Sequence, residues 1–570
     1  MQTILKRWVV APRLLPEAGF GLDDYHPILK QILYNREITT PQAALRFLNA
    51  DPPEESHPSA MRGIPEAVER ICRAIERQEF IAVYGDYDAD GVTATALLTQ
   101  ALQALGAHVT GYIPNRFDEG YGLNNEALDS LKASGVSLVI TVDCGIRSHQ
   151  EAEHSRRIGL DLIISDHHHC AAEIPDALAV INPKQPGCNY IEKNLAGVGL
   201  AYKLACALLE QAGQDKTVNL RPADLLDLVA LGTVADLAPL TGENRSLVRA
   251  GIEAIRVTRR QGLVSLMGAA GLDQAKVNAG DIGFVLGPRL NAAGRLESAL
   301  ASLELLTTDN ILVSGTLAQK LDIQNRKRQE ITQDIQERAE QIALADNPDA
   351  LLLFAADPDF NPGVVGLAAS RLTEQYYRPA IVAQRGEEFT RASCRSIPEF
   401  HITAALDQCA GLLEHHGGHA AAAGFTVRNQ NLPILIEQLQ AIAQEKLGQA
   451  DLRPTLKADV DIPLSDLKAD LLPILKWLQP TGYGNPQAVF VSRDLKIINS
   501  RGVGRDASHL KLTVTDGRIT YDAIAFRQGH WLGQLPPRID LMYTFEVNEF
   551  NGRTTLQLNV RDLKPAGTPD

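Results

Sequence analysis

The stretch IAVYGDYDADGVTATALL, residues 81–98, runs a short apolar segment into Asp86, Asp88 and Asp90 on alternate positions, then into a helical pattern from Gly91. An apolar run that ends in acids and a tight turn into a helix is the junction of a βα unit. The helix N-terminus that follows favours anions. Three carboxylates this close would repel and raise one another's pKa. A divalent cation removes that penalty, so the triplet reads as a metal-binding edge of a parallel sheet.

The same texture extends to about residue 240. Short apolar runs, VTGYI (109–113), SLVITV (137–142), LDLIIS (160–165) and LAVIN (178–182), alternate with helical stretches such as GVTATALLTQALQALG. This pattern predicts βαβ units and a sheet covered on both faces. Open sheets of this kind collect ligands at the carboxyl ends of their strands. Polar residues stand repeatedly at that address: Asp143 follows SLVITV, Asp166-His167-His168 follows LDLIIS, and Asp236 closes the apolar helical segment LLDLVALGTVAD. Mixed Asp and His ligation suits Mn²⁺ or a similar ion, and the absence of Cys ligands argues against structural zinc. A carboxylate shared by two ions ~3.5–4 Å apart is the usual arrangement for phosphoester hydrolysis. Simpler readings stand beside this one. Asp143 alone fits a helix cap, DADG fits a calcium-type turn without the late Glu of an EF-hand, and Asp166–His169 fits a surface loop.

At 570 residues the chain exceeds one ordinary core. Its 45% hydrophobic and 22% charged residues are those of a globular protein. No run of about 18 apolar residues suggests a membrane span, and the N-terminus lacks the pattern of a signal peptide. The seven cysteines never form CxxC, which predicts free thiols in a reducing, cytoplasmic setting. A net charge of −14 argues against a broad basic surface, but acids gathered around cations are neutralised locally, so the charge does not decide the partner.

The expected architecture is α/β with an added β-barrel. Residues 1–75 form a helical lead-in containing ITTPQAALRFLNAD, and 76–310 form the first α/β domain. Residues 311–346 form a connecting helix, with charges on most faces of 315–346 predicting a solvent-bathed rod of roughly 45 Å. Residues 347–452 form a second α/β domain, and 453–570 carry five or six short strands that fit a small closed barrel of the OB type.

In chain order, DYDADG, VDCG, DHH and GTVADLAPL resemble the DHH phosphoesterase superfamily. PRLNAAGRL (288–296), GVVGLAASRL (363–372), SCRS (393–396), GGHAAAAGF (417–425) and GYGNPQAVF (482–490) narrow the resemblance to its RecJ family. The resemblance covers about residues 75–565 and implies a single-strand-specific DNA exonuclease. Such an enzyme digests 5′ to 3′, releases mononucleotides, uses two Mn²⁺ (or Mg²⁺) ions and serves repair and recombination. It implies metal binding by Asp86, Asp88, Asp90, Asp143, His167 and Asp236, with Asp143 bridging. His168 would contact the scissile phosphate, and Asp166 would orient an imidazole.

By the same resemblance the second α/β domain matches the DHH-associated domain. Ser393, Arg395, Gly417, Gly418 and His419 would hold a 5′-phosphate, with Arg116 and Arg289 as further phosphate contacts and Tyr121 as a base-stacking residue. Arg offers phosphate a planar fork, and glycine lets backbone N–H groups approach. An ion pair or helix-terminal charge is the plainer reading for Arg289 and Arg295, a packed turn for GGHAAAA, and a core or turn position for Tyr121. A groove between the two α/β domains, too narrow for a duplex, would explain strand selectivity. A monomer is expected, with a single-strand-binding protein and a helicase as partners. The competing functions are a phosphodiesterase for short oligonucleotides, which would not need the barrel, and a catalytically dead scaffold, which would have lost ligand acids that this chain keeps.

Overall fold

The computed structural model describes residues 6–14, 21–115, 122–213, 218–345, 347–550 and 552–570. Arg116 and Tyr121 lie outside the described residues. The chain divides into two compact units, Val9–Asp322 with Lys457–Asp570, and Ile323–Leu456 with the segment ending at Trp8.

In the larger unit, β1 (Phe80–Gly85), β2 (His108–Tyr112), β3 (Val136–Val142), β4 (Asp161–Ser165) and β5 (Ala179–Ile181) form a parallel sheet in the order β2-β1-β3-β4-β5. Strand alternation feeds two cores: Ile81 and Val83 face one, Ala82 and Tyr84 the other. The order reverses between β1 and β3, which makes their carboxyl ends the switch point where such sheets open a crevice. Helix α1 (Ala89–Ala104) is rich in Ala, Thr and Leu and is buried along its first three turns, as a helix without a polar face should be. It packs against α2 (Gly197–Ala212) and α3 (Leu226–Ala235).

The first 75 residues, read above as one lead-in, are divided between two cores. Helix Ile64–Glu76 joins the α/β core through Ile64, Ala67 and Ile71. Helices Pro27–Asn35 and Pro41–Asn49 instead pack Leu29, Ile32 and Leu33 with Leu464, Phe490 and Leu541 of the C-terminal barrel. The predicted Thr-Thr-Pro start is realised: the Thr40 side chain accepts from Ala43 N, and Pro41 opens the helix.

That barrel is closed. Strands β12 (Phe490–Val503), β13 (His509–Thr515), β14 (Thr520–Ala525), β15 (Arg538–Phe550) and β16 (Arg553–Pro565) run β12-β13-β14-β16-β15, and β15 pairs back onto β12. The short β11 (Val460–Asp461) adds alongside β12.

The smaller unit holds β6 (Leu353–Asp357), β7 (Ala380–Arg385), β8 (Phe389–Arg395), β9 (Leu413–Gly418) and β10 (Ala422–Arg428), in the order β9-β10-β8-β7-β6. Only β6 and β7 are parallel.

Helix α4 (Gly287–Leu296) precedes the long helix α5 (Ile311–Leu344). It is not bathed in solvent: Ala318 and Leu321 enter the core of the larger unit, Ile335 and Ala339 that of the smaller. The charge count misled because buried positions such as Asp322, Asn325 and Thr332 are polar. All seven cysteines are free. Among the described residues no helix is long and apolar enough to cross a membrane.

Candidate metal centre

Seven side chains from four parts of the larger unit meet at the β1/β3 switch point. Three sets of ligand atoms lie within 4.8 Å of one another: Asp86, Asp88 and Asp143; Asp143, His167 and His168; and Asp90, His167 and Asp236. Asp143 and His167 each belong to two sets, so the sets form one continuous cluster. Asp86, Asp90 and Asp143 are buried.

Local structure aims each group. Asp88 caps α1, its Oδ1 accepting from Asp90 N and Gly91 N at 2.9 and 3.1 Å. Asp90 receives two backbone donors from the start of α2: Gly197 N to Oδ2 at 2.7 Å and Val198 N to Oδ1 at 2.8 Å. Asp143 sits at φ +64°, a left-handed conformation that is strained for a non-glycine residue, directly after β3. Asp236 follows the last residue of α3. Asp166 accepts from Ile146 N at 2.9 Å and from His168 Nδ1 at 2.7 Å, so the imidazole that it orients is that of His168.

His167 Nε2 supplies the test of a metal site. It is buried and makes no hydrogen bond, yet it faces Asp143 Oδ1 at 3.0 Å, Asp236 Oδ2 at 3.8 Å and Asp90 Oδ2 at 3.9 Å. A backbone hydrogen bond at Leu195 also engages the ring. Burial, and next the neighbouring His168, push the His167 pKa down to about 3, so the ring is neutral and keeps a lone pair. Burial, then Asp88, raises Asp90 to about 7; burial, then Asp90 and Asp88, raises Asp236 to about 8. Asp143 is held well above the carboxylate range by burial and by Asp90, Asp88, Asp86 and Asp236. Burial works against the charged form of His168, but its bond to Asp166 and the acids around it lift it to about 9. A neutral imidazole among acids that cannot all ionise together is a donor set that fits divalent cations.

Further residues shape the site without having been singled out in the sequence. Buried Asn182 donates to His168 O at 2.9 Å, and Lys184 Nζ donates to His167 O at 2.6 Å. Asn182 ends LAVIN and Lys184 lies two residues on, at the same strand-end address that marked the acids. Gly197 and Gly232 are required by close approach: an added Cβ would lie 2.7 Å from Asp143 Cβ at Gly197, and 2.2 Å from Thr93 Oγ1 and 3.0 Å from Asp90 Oδ1 at Gly232. Asn291 Oδ1 accepts from Ala89 N at 2.7 Å and ties α4 to the acidic loop. Arg289 takes the ion-pair arrangement, its Nε and Nη2 on Asp322 Oδ1 at 3.0 and 2.9 Å and its Nη1 on Val285 O. The edge formed by its Nε and Nη2 is thus taken by Asp322.

In the smaller unit, strand register sets Ser393 opposite Gly424, and Gly424 opposite Gly417; Gly418 faces Ala423. His419 N donates to Ala422 O, which closes the turn between β9 and β10. Helix α6 (Val365–Tyr376) brings its first turn close to this row: a Cβ on Gly366 would stand 3.2 Å from Arg395 Nη2 and 3.5 Å from Ser393 Oγ. Ser393, Arg395 and the β9–β10 glycines are thus neighbours within one sheet.

Residues 80–233 match the DHH family, N-terminal domain, and residues 349–446 the DHHA1 domain. Together they define the class, a DHH protein with its associated domain. Residues 458–562 match the RecJ OB domain. The chain is 38% identical over 540 residues to the single-stranded-DNA-specific exonuclease RecJ of Bacillus subtilis, covering 94% of this chain and 68% of that protein. It is 35% identical over 564 residues to the protein of the same name from Escherichia coli, covering 95% and 96%. The crystal structure of RecJ in complex with Mn²⁺ from Thermus thermophilus superposes with a TM-score of 0.85 at 30% identity, covering 99% of this chain and 80% of that one. The chain belongs to the RecJ family.

Proposed function

We propose that the protein is a single-strand-specific DNA exonuclease that hydrolyses phosphodiester bonds from 5′ to 3′ and releases mononucleotides, with two Mn²⁺ or Mg²⁺ ions. The observation that carries this reading is the shared membership of Asp143 and His167 in three overlapping ligand sets at a sheet switch point. Asp86, Asp88 and Asp143 would hold one ion; Asp90, His167, Asp236 and Asp143 would hold the other, with Asp143 between them. When bound, such a pair supplies a nucleophilic water at neutral pH and stabilises charge on an in-line displacement.

The chain's own contribution is positioning and electrostatics. The start of α2 fixes both oxygens of Asp90, and a backbone hydrogen bond at Leu195 steadies the His167 ring. His168, held cationic by Asp166, would donate to a non-bridging oxygen of the scissile phosphate. Ser393, Arg395 and the Gly417–His419 turn would hold a 5′-phosphate, with the fork of Arg395 as the charged member. The barrel would grip strand further along. Both ligand sets and the phosphate pocket lie in one chain, so a monomer suffices. A helicase and a single-strand-binding protein, acting in cytoplasmic repair and recombination, are its proposed partners.

Digestion of end-labelled single strands and duplexes, with and without Mn²⁺, tests the reading. It expects metal-dependent loss of single strands only, with a ladder that begins at the 5′ end. Equal attack on duplex, 3′-to-5′ polarity or metal-independent cleavage would reject it.

A further inference from the structure

Residues Ile282–Leu286 form a π-helical turn that leads directly into α4. Such turns are rare and recur at functional sites. Ile282 and Leu286 are fully buried, but Phe284 between them is 87% exposed, the highest value for a large apolar side chain among the described residues. A phenyl ring left in water forgoes the burial that ordinarily stabilises a fold.

The element that carries this ring flanks the acidic centre at both ends. A Cβ on Gly283 would meet Val234 Cγ1 at 3.6 Å, and one on Gly287 would meet Ala235 Cβ at 3.0 Å, the two residues before Asp236. At the far end Asn291 accepts from Ala89 N, and Gly294 lies against the Tyr87 carbonyl, where a Cβ would stand 2.7 Å away. Leu237, just after Asp236, is also exposed, at φ +59°. Arg289 of this element is already paired with Asp322.

We propose that Phe284 is a base-stacking residue that positions the single strand beside the metal centre. This rests on the exonuclease reading. A ring face accepts any of the four bases, which suits an enzyme that must pass every sequence, and stacking demands an unpaired base. Phe284 is therefore also a specificity residue, since a base held within a duplex cannot present its face to it.

The test compares the wild-type chain with Phe284→Ala, Phe284→Leu and Phe284→Trp on a 5′-phosphorylated 20-mer and on copies carrying one abasic site at successive positions. Phe284→Ala is expected to raise KM at least about fivefold, with a smaller change in kcat. Phe284→Trp should restore KM, and Phe284→Leu, apolar but without a π face, should not. In the wild-type protein one abasic position should raise KM; in Phe284→Ala that same position should add nothing further. Unchanged KM in Phe284→Ala, wild-type behaviour of Phe284→Leu, or an abasic penalty that persists in Phe284→Ala would overturn the proposal. Melting temperature and Mn²⁺ calorimetry identify any variant that has lost its fold, and the Leu and Trp pair decides if Phe284→Ala does so. Failure of the wild-type protein to degrade the 20-mer would instead overturn the exonuclease reading.

Discussion

Asp143 combines a backbone strain and a charge burden in one residue: φ is +64° and four other carboxylates raise its pKa. Asn tolerates the left-handed region better than Ala and removes the charge. Asp143→Asn should therefore raise the melting temperature of the metal-free protein, abolish most of the stabilisation by Mn²⁺, and lower nuclease turnover by more than the ~10²–10³ that one preorganised donor is worth. Thermal melts with and without Mn²⁺, beside rates on single strands, check all three. The same acids predict a pH dependence. Asp90 and Asp236 titrate near 7 and 8 in the metal-free fold, above the ~4 of an unfolded chain. The native state then binds more protons than the unfolded one, so stability falls as pH rises; the cost is absent below about pH 4 and complete above about pH 8. Denaturant melts in a chelator should show this decline, and saturating Mn²⁺ should flatten it. All seven acid and imidazole groups were legible in the sequence, because each follows an apolar run that had to be a strand or buried helix. The strain at Asp143 was not, since nothing local in VDCG demands a positive φ at its Asp.

Helix α2 meets the acidic centre at its first residue, and Gly197 allows that approach. Gly197→Ala should cost about 1–3 kcal/mol, because its Cβ must displace Asp143 or the helix. Mn²⁺ affinity should fall with it, whereas Gly268→Ala, exposed in the helix Gln261–Ala269 with open space around it, should leave Mn²⁺ affinity unchanged and stabilise the fold by about 0.5–1 kcal/mol. Calorimetric titration and melting curves distinguish the two. Strand positions were readable from the apolar runs, and the strand order was readable only as a class. The meeting of α2 with Asp90, more than a hundred residues apart, is a tertiary fact that no local pattern carries. The long helix shows the opposite failure: its charges were read as solvent contacts, while Asp322 is buried as the partner of Arg289.

Within the larger unit, the early helices and the C-terminal barrel share one core, in which Leu29, Ile32 and Leu33 pack with Phe490 and Leu541. A fragment of residues 457–570 should thus melt early and aggregate when produced alone. Co-production with residues 21–50 should recover soluble barrel, measured by size-exclusion chromatography and circular dichroism. Cohesion between segments so distant in sequence could not be read from composition, since both look like ordinary amphipathic pieces. The arrangement also bears on biosynthesis. The two helices leave the ribosome early, but the strands that cover Leu29 and Ile32 arrive about 460–510 residues later, a wait of roughly 25–100 s at about 5–20 residues per second. For that interval their apolar faces are exposed on a nascent chain, which makes this pair of helices the part of the protein most dependent on chaperone protection during translation.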